Sequence, residues 1–144
     1  MREIKFRGFS KTFTENDWFN GDLIHYDENT FYIMGQNYRS WDIPYSGIEV
    51  HKESIGQYTS LKDKDGKEIY EGDILLQSRS YIPENNIKHR VEFSEEFCGF
   101  VAVPMEGEVY RDSALCLSED LIYREGFRII GNIFENKELL KIKM

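Results

Sequence analysis

Long apolar runs, clustered basic residues and paired cysteines are all missing from this chain of 144 residues. The longest uninterrupted apolar stretch is four residues, as in Phe31–Met34 and Phe100–Val103. A membrane-crossing helix needs roughly 20 such residues, so none is expected. The start, Met1-Arg2-Glu3-Ile4-Lys5, has no apolar signal core, which points to an intracellular protein. There are 2 cysteines, Cys98 and Cys116, with no C-x-x-C, and His25, His51 and His89 are scattered. A structural zinc site needs four converging ligands. The expectation is two free thiols, buried or half-exposed, with no metal and no cofactor. Bases number 18 against 26 acids, a formal net charge of −8. The acidity is spread along the chain: 6 bases and 9 acids in residues 1–56, 3 and 5 in 57–76, 9 and 12 in 77–144. Without a basic cluster there is little to neutralise phosphates, so direct nucleic-acid binding is disfavoured. Carboxylates standing in for phosphates, as in a DNA mimic, need a denser acidic array than this.

What is present is aromatic. Ten Phe, nine Tyr and two Trp make up 15% of the residues. Turn signals recur at short intervals, and the apolar stretches between them are short. Ile4 and Phe6 alternate with charged residues, a strand period. Asn20-Gly21 reads as a hairpin turn between strands at 15–19 and 22–27. A turn at 27–29 leads into a strand over Thr30–Met34. Pro44 argues against a central strand in 35–46. Further strands are expected at 47–52, 55–59, 69–70, 74–77, 88–93, 99–103 and 127–134. Asp65-Gly66 marks the tip of the clearest loop, and Gly72 the corner Glu71-Gly72-Asp73. Residues 78–86 suit a long mobile loop. Residues 112–123 fit neither the strand nor the helix period, a short helix after Asp112 or Ser113 being one reading, and Asn136 is placed to cap a short C-terminal helix over Lys137–Ile142. The pattern predicts one mainly β domain over residues 1–144: a small barrel or sandwich of short strands with a short C-terminal helix. Its open strand edges point to a homo-oligomer.

The constellations that carry chemistry are few. Asp63-Lys64-Asp65-Gly66 invites a calcium reading, but the fifth and sixth positions from Asp63 are Lys67 and Glu68, where an EF-hand needs an acid or Asn and then Gly. A solvated hairpin tip fits better. Glu71 and Asp73 flank Gly72; two carboxylates on a corner are a candidate acid/base pair, or they cap backbone N–H groups. Ser113 and Cys98 have no adjacent base, and no phosphate-cradling glycine loop or nucleophile elbow occurs. No catalytic or cofactor-binding residue is assigned.

The run Gln57-Tyr58-Thr59-Ser60-Leu61-Lys62-Asp63-Lys64-Asp65-Gly66-Lys67-Glu68-Ile69-Tyr70-Glu71-Gly72-Asp73-Ile74 resembles the signature of the YopX family of phage and prophage proteins. The opening Met1–Arg7 and the close Ile130-Gly131-Asn132-Ile133-Phe134-Glu135-Asn136, followed by Glu138-Leu139-Leu140, resemble that family's two ends. Three departures stand out. Ser60 replaces the usual Gly, Gly8-Phe9-Ser10 replaces Ala-Trp-Asp, and Lys137 replaces Pro. The resemblance implies a mainly β phage protein in the bacterial cytoplasm, with no established activity, cofactor or catalytic residue. The residues themselves then suggest a self-associating module that binds an unidentified phage or host protein. Its candidate partner surface is Asp63, Asp65, Lys67, Tyr70, Glu71 and Asp73. The alternatives are a nucleic-acid-associated small barrel and a hydrolase using Glu71 and Asp73 with a divalent ion.

Overall fold

A computed structural model describes residues 1–11, 17–35, 47–78, 86–105 and 114–140. Its chain divides into two compact units, Met1–Tyr58 and Thr59–Met144. In the first, β1 (Phe6–Phe9), β2 (Trp18–Asp27), β3 (Thr30–Gly35) and β4 (Ile48–Val50) form consecutive antiparallel pairs, and the start of β5 (Gly56–Lys62) pairs with β1. A single bridge, Ser10 to Val50, brings the segment after β1 back to β4. Phe31, Ile33 and Val50 form the buried centre, flanked by Phe6, Phe19, Leu23 and Ile55. The turn at 27–29 is where the sequence puts it: the Asp27 carboxylate accepts from the Asn29 N–H at 3.0 Å. That bond, with the Thr30 hydroxyl, holds the Asp27 carboxyl below the ordinary range.

Asn20-Gly21 is not a turn. β2 runs straight through it, because Gly21 is paired on both sides, with Phe6 of β1 and Gly35 of β3. Two flanking strands hold the backbone extended and override the local turn preference. After β4 the chain makes a 3-10 turn, Lys52–Ser54, which the strand pattern did not foretell. The Ser54 hydroxyl donates to the His51 carbonyl at 2.6 Å and accepts from the Phe9 N–H at 2.8 Å, so the turn anchors β1.

In the second unit β5 continues into the tip and pairs with β6 (Glu68–Tyr70). β7 (Asp73–Leu76), β8 (Lys88–Ser94), β9 (Gly99–Pro104), β10 (Leu115–Cys116) and β11 (Arg128–Asn132) form an antiparallel sheet in the order β10-β9-β8-β7-β11. The β5–β6 hairpin and helix α1 (Glu119–Glu125) cover one face of it. Ile69, Leu75, Val91, Ala102, Leu121, Ile122 and Phe127 make the core, with Leu61, Leu117 and Ile129 packed against it. Ile69, Leu75 and Phe127 are 0% exposed, and each such burial contributes about 1.5–3 kcal/mol. Of the two architectures the sequence allows, the barrel is not formed: both strand orders are open and neither sheet closes on itself.

The helix starts later than expected. Ser118, not Asp112 or Ser113, caps it, accepting from the Leu121 N–H at 3.1 Å, and Gly126 ends it. Residues 106–113 lie outside the described residues, as do 79–85 of the expected long loop and 36–46 around Pro44. In β11 the even alternation breaks at a bulge between Ile129 and Gly131. The final helix is a 3-10 turn, Lys137–Leu140. Cys98 and Cys116 are both exposed free thiols.

Candidate functional site

The signature run folds as two corners. Asp63 makes the first. One of its carboxylate oxygens accepts from the Asp65 and Lys67 N–H groups, both at 2.9 Å, and the other accepts from the Ile129 N–H at 2.9 Å. Asp63 is only 5% exposed. Gly66 turns the tip at φ 84°. Asp73 makes the second corner. Its carboxylate accepts from the Tyr70 N–H at 2.7 Å, and Asp73 is 2% exposed. Between them Gly72 sits at φ 90°, a conformation that costs side-chain-bearing residues and suits glycine. Thr59 ties the hairpin together: its hydroxyl donates to the Ile69 carbonyl at 2.8 Å and accepts from the Leu61 N–H at 3.2 Å.

The two most recognisable stretches of sequence meet at these corners. Lys64 N–H donates to the Phe127 carbonyl at 3.0 Å, and Ile133 N–H donates to the Gly72 carbonyl at 2.9 Å. In the closing stretch the Asn132 side chain accepts from the Phe134 and Glu135 N–H groups, and Asn136 accepts from the Asn132 N–H. These asparagine bonds were not foreseen. The signal was there in the Asn-x-x-x-Asn spacing beside Gly131, which suits side-chain-to-backbone turns.

The six residues of the candidate surface are thereby sorted. Asp63, Tyr70 and Asp73 are buried, Glu71 is half-buried, and Asp65 and Lys67 are exposed. Ser60, standing where the family usually has Gly, lies at φ 69°. The backbone thus keeps the left-handed conformation, and serine bears it at a cost.

Other reactive arrangements are poor in chemistry. The Lys64 ammonium donates to the Ser78 hydroxyl at 3.1 Å, but Lys64 is exposed and the Ser78 hydroxyl donates to the Gly126 carbonyl. A nucleophile needs a base to take its proton; here the proton points at a carbonyl and the neighbour is a cation. His89 is 3% exposed, with Nδ1 3.1 Å from the Ile87 carbonyl and its ring edge-on to Phe127. Burial pushes its imidazole below the ordinary 6.5, partly offset by the Ile87 carbonyl and the Glu125 carboxylate. Among the described residues no three His, Cys, Asp or Glu side chains converge as metal ligands.

Three comparisons with known proteins bear on this arrangement. No curated protein matches the chain. A crystal structure of protein EF1440 from Enterococcus faecalis is similar in fold, with a TM-score of 0.60 and 24% identity over 98% of this chain and 100% of that one. At that identity the likeness speaks to fold alone. The model of the YopX protein family matches residues 5–141, which takes in both corners and the asparagine turns that brace them. The chain belongs to the YopX family.

Proposed function

We propose that this chain is a non-enzymatic β-rich module of a phage or prophage, acting inside the bacterial cell, where it self-associates and binds a protein partner. One observation carries the non-enzymatic part. The polar groups of the signature, on Thr59, Asp63 and Asp73, are engaged by the backbone of their own unit. A general acid or base must reach its substrate, and Asp73 at 2% exposure, bonded to the Tyr70 N–H, does not. That weighs against the hydrolase reading. The net charge of −8 weighs against the nucleic-acid reading.

The outward residues of the candidate surface, Asp65, Lys67 and Glu71, form the partner-facing side of the tip and corner. Asp63, Tyr70 and Asp73 stand behind them as scaffold. Self-association draws support from the open strand order, which ends in β10 on one side and β11 on the other. The test combines sedimentation velocity on the purified chain with photo-crosslinkers placed at Lys67 and Glu71 in prophage-bearing cells. Concentration-dependent association and a discrete crosslinked protein are expected. A strict monomer that crosslinks to nothing refutes the reading.

A further inference from the structure

The core face of the second unit's sheet outruns what covers it. On that face Val91 and its cross-strand partner Ala102 are 1% and 0% exposed. Two residues further along, the same face carries Phe93 opposite Phe100, and Phe93 is 49% exposed. Leu115 lies opposite Ala102 on the same face and is 36% exposed. Phe97, in the turn from β8 to β9, is 52% exposed. Single exposed apolar residues are ordinary, but a group continuous with a core face marks an interaction surface. This group is also held in place. Phe93 and Phe100 meet edge to face at 5.5 Å between ring centres. The turn is fixed by Phe97 N–H donating to the Ser94 hydroxyl at 3.2 Å and Cys98 N–H to the Glu95 carbonyl at 3.3 Å. A preorganised face loses little side-chain freedom on binding.

Acids outnumber bases around the patch. Residues 91–100 contain Glu92, Glu95 and Glu96, residues 115–121 contain Glu119 and Asp120, and neither segment has a Lys or Arg. Leu117 N–H donates to the Phe100 carbonyl at 3.0 Å, which brings the start of α1 to this end of the sheet. Arg90 pairs with Glu92 and Arg124 with Asp120, while Glu95, Glu96 and Glu119 are exposed. A second copy docked face to face here would set these acids against their equivalents, so the rim selects for a cationic partner.

We propose that the face formed by Phe93, Phe97 and Leu115 docks a polypeptide segment carrying an apolar anchor flanked by Lys or Arg. The proposal rests on the protein-binding reading above and gives it a second surface and a partner chemistry. The test is fluorescence anisotropy on the full chain with three labelled peptides. The first has a Leu-Trp-Leu centre flanked by Arg and Lys, the second the same centre flanked by Glu, the third a Ser-Ser-Ser centre with the basic flanks. Two variants are compared, Phe93→Ser with Phe97→Ser, and Glu95→Lys with Glu96→Lys, each checked for native near-UV dichroism. The first peptide is expected to bind at least about tenfold more tightly than the other two, with each variant losing at least about tenfold. Because the phenylalanine variant keeps every acid, its loss separates docking from general attraction of a basic peptide to an acidic protein. Should that variant not fold, the glutamate pair carries the test. The proposal is overturned by absence of binding, by equal binding to parent and variants, by preference for the Glu-flanked peptide, or by dimerisation through this face. The first three leave the broader reading to the crosslinking result at Lys67 and Glu71, which does not involve these residues, while dimerisation through this face would itself appear as association in sedimentation.

Discussion

Replacing Asp63 by alanine removes one carboxylate but strands three backbone N–H groups, those of Asp65, Lys67 and Ile129. The three are not equal. Asp65 and Lys67 are exposed, so water replaces most of what they lose, at about 0.5 kcal/mol each. Ile129 is half-buried beside the core, and its N–H loses a charged acceptor where water is less available, a cost of about 1–3 kcal/mol. The sum is about 2–4 kcal/mol, a large part of the roughly 5–15 kcal/mol that holds a domain folded. Asp63→Asn is the sharper probe. Its one carbonyl oxygen can still serve the loop N–H pair, but the amide nitrogen then faces the Ile129 N–H, donor against donor. The loop term survives and the Ile129 term does not, so a loss of about 1–3 kcal/mol is expected. Urea unfolding followed by tyrosine and tryptophan fluorescence reads both, as lower midpoints at unchanged slope. An Asp63→Ala protein within about 0.5 kcal/mol of the parent, the range of an ordinary surface substitution, would mean that these three bonds do not hold the corner.

Ser60→Gly, at φ 69°, is expected to raise stability by about 0.5 kcal/mol, the strain relieved being partly offset by glycine's freedom in the unfolded chain, while Ser60→Val lowers it by more than about 1 kcal/mol; thermal unfolding of the two variants tests the sign. Gly131→Ala puts a Cβ 2.5 Å from the Asn136 side-chain oxygen and 3.0 Å from Leu139, and its expected cost of about 1–3 kcal/mol is read in the same unfolding experiment. The unfolded chain protonates His89 near 6.5 and the folded chain only at lower pH, so this contribution is complete above about pH 6.5 and is lost as the pH falls through the folded value. Comparing the parent with His89→Gln in urea from neutral to mildly acidic pH should show a steeper decline in the parent.

Legibility in the sequence followed how local the cause was. Gly66 and Gly72 announce turns because nearby backbone demands positive φ, and both turns are present. Ser60 showed as a departure from the family pattern, and its φ of 69° gives that departure a physical meaning. Asn20-Gly21 misled because its conformation is set by strands on either side, which no local pattern encodes. The bulge at Ile129–Gly131 spoiled an alternation that otherwise reads as a plain strand. The start of helix α1 is hard to read because Leu115 lies in strand β10 and Leu117 lies between that strand and the Ser118 cap, so the leucines before the helix do not share its period. The candidate surface was half legible for a different reason. An aspartate that grips its own backbone and one that meets a partner look alike in sequence, and only burial separates Asp63 and Asp73 from Asp65.

If the family signature braces the chain, amide hydrogen exchange resolved residue by residue by NMR will show it. The N–H groups of Tyr70, Ile129 and Ile133, which close on Asp73, Asp63 and Gly72, should exchange only with global unfolding, as slowly as those of the core strands. Rapid exchange of these three amides, while the rest of the sheet stays protected, would mean the corners open on their own and would contradict a bracing role.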